Sequence, residues 1–375
     1  MRWAASGWEN GPLGLPLTDV GRTPDGAAQF AHFEGGSVYA HATLGARVLS
    51  MVVREAWGAA GWENGPLGYP VADAVAAAGG QMVQFQGGQV LASAATGGHA
   101  VSGAMLTDYE AAGGPGVLGL PTGDAGRTGD GQAAFQHFQG GSLYRTSAGV
   151  MTVPAAVRDV WARSGWEHGP LGYPAGASTV TAGSSPASTA PAGGTTQAFQ
   201  GGTVYVGQAG AFPVSRAFEA AMAAVRDVAP LGWPTGEELP LAAGGSLQPF
   251  ERGSVYASPA TGARAVAQEL FPAWGAAGWE YGPLGYPTTD TVVLPDGGRF
   301  VHFQGGSVYW TAATGAHVVR GAVRDAWARY GWEGGRLGYP VSGVRALPDG
   351  GAEQDFQGGT LRVSVTGSTS IVTVR

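Results

Sequence analysis

The chain has 375 residues and a net charge of -7, with 44% hydrophobic residues, enough for a large core, but only 13% charged, about half the usual share. It contains no Lys and no clustered Arg, which excludes phosphate-neutralising nucleic-acid binding and a polybasic membrane anchor. No apolar run approaches the roughly 20 residues of a membrane span, so no membrane insertion is expected.

The chain opens on a truncated helix at Trp3, and residues 1–20 match a repeat rather than a signal peptide. Any export signal is therefore expected to lie outside this chain. A tetrapeptide Leu-Gly-x-Pro, with Tyr, Trp or Leu at x, starts at Leu13 and recurs at Leu67, Leu118, Leu171, Leu231, Leu284 and Leu337. A second motif, Phe-Gln-Gly-Gly or a near copy, follows each at Phe33, Phe85, Phe138, Phe199, Phe250, Phe303 and Phe356. Two motifs in lockstep define seven tandem units of about 53 residues, here 1–48, 49–101, 102–152, 153–214, 215–266, 267–319 and 320–375.

The sixth unit is the cleanest copy. A short helix ends near Trp274, and Gly278-Trp279-Glu280-Tyr281-Gly282 leads into Leu284-Gly285-Tyr286-Pro287. Pro295-Asp296-Gly297 reads as a turn and Arg299–Phe303 as a half-buried strand. Gly305-Gly306 is expected to interrupt that strand as a bulge, and Thr314-Gly315 turns the chain again. Each unit thus predicts one helix plus a meander of two or three strands. The pairs Val53/Trp57, Val157/Trp161 and Val323/Trp327 are four apart and share a helix face. Such a unit is too small to be stable alone and must stack on its neighbours.

Two units deviate. The fourth holds a Ser-, Thr- and Pro-rich stretch, Ser178–Thr196, expected to be a flexible surface loop. The fifth lacks the Gly-Trp-Glu element, as does the third, which has Gly113-Gly114-Pro115-Gly116 there. With no polar capping unit at either end, the fold class expected is a single domain, mainly β with short helices, closed into a seven-unit propeller-like ring. An open superhelical array is the alternative.

The motifs Leu-Gly-Tyr-Pro, Phe-Gln-Gly-Gly-Ser-Val-Tyr-Trp and Thr-Gly-Ala-His-Val-Val closely resemble the LGFP repeat of actinobacterial envelope proteins, and the resemblance covers essentially the whole chain. It implies a secreted, envelope-located module that holds catalytic partners on cell-wall polysaccharide. Leu15 and Leu120 depart from the pattern, replacing its usual aromatic.

The candidate ligand-binding residues are Trp8, Glu9 and Asn10; Trp62, Glu63 and Asn64; Trp166, Glu167 and His168; Trp279, Glu280 and Tyr281; and Trp332 with Glu333. An indole offers a platform for the C–H face of a sugar, and an adjacent carboxylate or amide accepts hydroxyl hydrogen bonds. The bland alternative packs the Trp on a neighbouring unit. His32, His137 and His302, with Gln86, Gln139, Gln200, Gln304 and Gln357, read more simply as strand polars. There is no Cys and no HExxH, so neither a metal site nor a cofactor is expected. GxSxG and P-loop motifs are also absent, and identical repeated glutamates do not make an asymmetric catalytic pair. The reading is a non-catalytic, multivalent lectin-like module for cell-wall or surface polysaccharide. A protein-binding scaffold or targeting subunit, with a protein partner or fused catalytic domain, is the alternative.

Overall fold

The computed structural model describes residues 2–181 and 193–372. Among the described residues there are seven four-stranded antiparallel sheets, one per unit, each with its strands in sequence order. The first sheet is Gly21–Arg22, Ala28–Phe33, Gly36–His41 and Gly45–Ser50. The fourth strand exceeds the sequence expectation, because the outermost strand of a sheet is as short as two residues and carries no visible alternation.

Gly305-Gly306 is not a bulge. Phe303 pairs directly with Gly306, so Gln304-Gly305 forms a two-residue hairpin turn. A Cβ on Gly305 would overlap the carbonyl of Pro283, and the same close approach recurs at Gly35, Gly87 and Gly358. The turn is thus pressed against the chain leading into Leu-Gly-x-Pro. The motif closes on itself there: Pro16, Pro70, Pro121, Pro234, Pro287 and Pro340 each bridge to the Phe of their own unit. The Gln side chain adds a clasp, since Gln86, Gln139, Gln304 and Gln357 accept the backbone N–H of residue x at 2.8–2.9 Å.

Of the Ser178–Thr196 stretch, residues 182–192 lie outside the described residues. Its ends are strands rather than loop, with Thr179 paired to Thr196 and Thr181 to Gly194.

The chain folds as two compact bodies. One comprises Met1–Gly169 with Tyr173–Ser178, and the other Pro170–Gly172 with Thr179–Arg375. In the first body, helix Met51–Ala59 packs on strands Gly36–His41 and Gly45–Ser50 of the first sheet and on Gly88–Ser93 and Gly97–Ser102 of the second. Its Val53 and Trp57 are fully buried. In the second body, helix Gly321–Arg329 likewise spans Gly306–Thr311 of the sixth sheet and Gly359–Val363 of the seventh. The apolar clusters therefore straddle consecutive units. One joins Tyr39, Leu49, Val53, Trp57, Leu67 and Phe85; another joins Leu91, Val101, Tyr109, Leu120 and Phe138. Stacking supplies the core that no single unit has.

Polar ties cross the same joints. The Tyr69 hydroxyl reaches back to Thr23 at 2.8 Å and Asp25 at 2.7 Å in the preceding unit's turn. Tyr173 repeats this with Asp130 at 2.7 Å, and Tyr339 with Asp296 at 2.9 Å. Backbone amides and these phenols hold the three carboxyls below their ordinary value of 3.8, Asp130 at about 2.

Candidate functional site

The Gly-Trp-Glu element takes one form in all five copies. Gly7, Gly61, Gly165, Gly278 and Gly331 have φ between 89° and 95°, and the Trp that follows each has φ of 55° or 56°. A single 3-10 turn results: Trp8–Asn10, Trp62–Asn64, Trp166–His168, Trp279–Tyr281 and Trp332–Gly334. The next Gly N–H closes it by donating to the Trp carbonyl at 3.1 Å. A bulky side chain in left-handed backbone is a true outlier, and such strain costs on the order of 1–3 kcal/mol. Five copies carry that cost.

The conformation seats each indole edge to face on the helix aromatic of its own unit. Ring centroids are 4.9 Å apart for Trp3–Trp8, 5.3 Å for Trp57–Trp62 and 5.4 Å for Trp161–Trp166. They are 5.3 Å apart for Trp274–Trp279 and Trp327–Trp332. Packing uses only part of each ring. Trp8 remains 47% exposed, Trp62 40% and Trp279 37%, while Trp166 and Trp332 are half-buried. The two readings of these residues are thus not exclusive, since each indole is anchored on one side and open on another.

The glutamates differ from the sequence expectation. Glu9 is exposed, but Glu63, Glu167, Glu280 and Glu333 are half-buried, with the Glu167 side chain only 9% exposed. One carboxylate oxygen of Glu63 is fully buried without a protein partner. Burial pushes the Tyr39 phenol up to about 12, and nearby Glu63 reinforces this while Arg54 opposes it. Asn10, Asn64 and His168 are exposed or half-exposed, and Tyr281 is 70% exposed, so these third residues form the outer polar fringe of the turn.

A second set of side chains recurs at three of the joints. His32 Nδ1 lies 2.7 Å from Ser37 Oγ, His137 Nδ1 2.6 Å from Ser142 Oγ, and His302 Nδ1 2.7 Å from Ser307 Oγ. The serines are fully buried; the imidazoles are half-buried. An Arg at the fourth position of the next helix lies near each pair and bonds directly to two of them. Arg54 donates to Ser37 Oγ at 3.3 Å and Arg324 to Ser307 Oγ at 2.8 Å, while Arg158 donates to the Phe138 carbonyl at 2.9 Å. Burial, then the neighbouring Arg, lowers the basicity of all three imidazoles and keeps them neutral at pH 7. At two joints the turn Trp completes the group: His137 stacks on Trp166 at 5.5 Å, and the Arg324 guanidinium sits 5.5 Å from the centre of Trp332. Reading the His as an isolated strand polar missed this cluster. The signal was available, because Ser stands five residues after each of the three His and Arg seventeen residues after each Ser, or sixteen in the third unit.

Among the described residues no group of three or more His, Asp or Glu is placed to hold a metal ion. No helix among them is long and apolar enough to cross a membrane. A shallow cleft beside the sixth unit's turn is lined by Gln268, Phe271, Gly275 and Trp279.

Among solved structures, the chain is similar to a streptogramin B lyase (9% identity, 92% of each chain covered, TM-score 0.14). It is similar also to virginiamycin B lyase from Staphylococcus aureus (8% identity, 92% of this chain and 93% of that chain, TM-score 0.13). A third is the extracellular domain of a putative hybrid two component system from B. thetaiotaomicron (10% identity, 97% of this chain and 47% of that chain, TM-score 0.18). Scores this low carry no argument about the fold or the activity. No curated protein matches the chain. The LGFP repeat does match, over residues 13–65, 67–116, 118–169, 231–282 and 284–335, leaving out the stretch with the fourth unit's insertion and the last unit's sheet. The windows run from one Leu-Gly-x-Pro almost to the next, take in four of the five strained turns whole, and cover well over half of the sequence: the chain belongs to the LGFP repeat family.

Proposed function

We propose that this protein is a non-catalytic, multivalent glycan-binding module for cell-wall or surface polysaccharide, exported to the cell envelope. One observation carries the proposal. Five tryptophans are held at φ near 55° with part of the indole accessible, a strained arrangement kept although Gly113-Gly114 forms the same turn without a tryptophan. An open indole with exposed Asn10, Tyr281 or the neighbouring Asn64 beside it suits the alternating C–H and hydroxyl surface of a sugar. Each such contact is modest, and several on one polymer multiply into tight retention. Sedimentation with purified, insoluble envelope polysaccharide tests this. Retention should fall at least tenfold in a Trp62→Ala/Trp332→Ala variant, and equal retention of variant and parent overturns the reading.

The proposal extends to architecture. Seven sheets joined by helices of one kind, closed into a propeller-like ring, would present the turns along one rim; an open superhelix is the alternative. Single-particle images distinguish a round particle from a curved rod. A protein-scaffold role has one observation in its favour: Leu15, Leu17 and Val20 of the first unit are each more than half exposed. Leu17→Asp would abolish capture of a protein partner or fused catalytic domain and leave polysaccharide retention unchanged.

A further inference from the structure

The five strained turns are not equivalent, and comparing the joints separates them. A His–Ser pair occurs in the first, third and sixth sheets: His32/Ser37, His137/Ser142 and His302/Ser307. The helix that follows each carries Arg at its fourth position, Arg54, Arg158 and Arg324. The second, fourth and fifth sheets have Gln84/Gln89, Ala198/Thr203 and Pro249/Ser254 in place of the pair. Their following helices have Leu106, Glu219 and Phe271 in place of Arg. His and Arg are present together or absent together, while the fifth sheet keeps the serine alone, as Ser254. All three Arg-bearing helices lead into a Gly-Trp-Glu turn, whereas the Leu106 and Glu219 helices lead into none. Backbone architecture does not demand this set, since the second, fourth, fifth and seventh sheets form without it.

We infer that the joints following the first, third and sixth sheets are the ligand sites of the molecule, each built to take a neutral pyranose through adjacent hydroxyls, while the turns at Trp8 and Trp279 are not. The inference rests on the glycan-binding reading above and narrows it.

Donor geometry supports the assignment. A guanidinium only donates, so Arg54 and Arg324 give a hydrogen to Ser Oγ, and the serine hydrogen goes to His Nδ1. The imidazole then carries its proton on Nε2, the outer nitrogen, as a fixed donor. One Arg nitrogen is used on Ser37 or Ser307, which leaves the rest of the fork for two neighbouring hydroxyls; at the third joint Arg158 already holds exposed Asp159 and the Phe138 carbonyl, so hydroxyls there replace the Asp159 pair. The indole of Trp166 stacks on His137 and that of Trp332 lies beside Arg324, so platform and donors share one place. Charge decides the ligand class. The Arg is matched by the Glu of the turn, and both act on the same buried phenol, Tyr39, Tyr144 or Tyr309. Glu55, Asp159 or Asp325 also follows each Arg, and Asp159 pairs with Arg158 at 3.0 Å, so a site with at least as many negative as positive groups gives no net attraction to an acidic sugar.

The test is calorimetric titration of the full chain with short, monovalent oligosaccharides, one neutral series and one containing uronic acid, chosen from an array screen. A stoichiometry near three for a neutral sugar, with uronic-acid sugars weaker, is the expected result. The Arg54→Leu/Arg158→Leu/Arg324→Leu variant, which copies the Leu106 found naturally at the equivalent position, should lose binding at least tenfold while its thermal transition stays cooperative. Stoichiometry near five, or undiminished binding in the Arg variant, overturns the joint assignment and leaves the glycan reading standing. Preference for the acidic series overturns the ligand class. Failure of the parent to bind any saccharide overturns both.

Discussion

Two neighbouring joints of the first body use one skeleton for different ends. At the joint between the first and second units, Trp57 donates its indole N–H to the Gly68 carbonyl at 2.9 Å, and Tyr69 reaches Asp25. At the next joint, Tyr109 stands for Trp57, and its hydroxyl donates to the equivalent Gly119 carbonyl at 2.6 Å. Leu120 stands for Tyr69 over a turn, Ala76–Gly79 by sequence, that has no Asp to offer. The turn itself is preserved: Gly113 and Gly114 have φ of 95° and 52°, where Gly61 and Trp62 have 95° and 56°. Glycine adopts that shape without steric cost. The backbone therefore needs the bend, but not the tryptophan. What the second joint keeps is architecture, and what it lacks is the polar and aromatic set that the first joint adds.

Four measurements sharpen or break this contrast. The largest effect belongs to the shared skeleton: Trp57→Ala should cost about 3–5 kcal/mol in chemical denaturation, because a fully buried indole leaves a large cavity. A cost below about 1 kcal/mol would show that the helix is not the common wall of two units. Next comes the latch. Tyr69→Phe should cost about 1 kcal/mol, while Leu120→Met, with no hydroxyl to lose, should stay near neutral. Smaller still is Trp62→Gly. Relief of backbone strain offsets lost packing, so stability should change by less than about 1 kcal/mol while saccharide binding at that joint disappears. Equal losses of stability and binding would mean the indole is structural.

The fourth effect is a dependence on acid. The latch carboxyls have native pKa values below their unfolded value of 3.8. Their contribution is complete above about pH 4 and is lost as pH falls toward the folded value, about 2 for Asp130. Thermal melts across that window should show Tyr173→Phe less acid-sensitive than the parent, and an unchanged slope would exclude Asp130 as the group responsible.

The contrast also shows what the sequence could reveal. The helix aromatics and the pairs Val53/Trp57, Val157/Trp161 and Val323/Trp327 were legible, because burial follows from helical spacing, and all six side chains are buried. The seven-fold repetition and the position of each Gly-Trp-Glu turn were equally plain. Gly305 was misread because Gly inside an alternating stretch fits a bulge as well as a hairpin, and only the pairing of Phe303 with Gly306 separates the two. The first strand of each sheet was missed because two residues such as Gly21–Arg22 show no period. The burial of Glu63 and the positive φ of Trp62 were hidden because nothing local signals either. The His32–Ser37–Arg54 cluster is assembled from two units, so its parts looked like separate strand and helix polars until they were compared copy by copy.

Apolar clusters that belong to two neighbours at once have a mechanical consequence. Pulling on such an array does not break one central core; it peels away a terminal block, exposes half of the next wall, and repeats. Force spectroscopy on the isolated chain should record a ladder of small ruptures, with the largest contour-length steps equal to one repeat. Under the proposed multivalent binding to a polymer, that failure mode sheds load stepwise while the remaining grips hold.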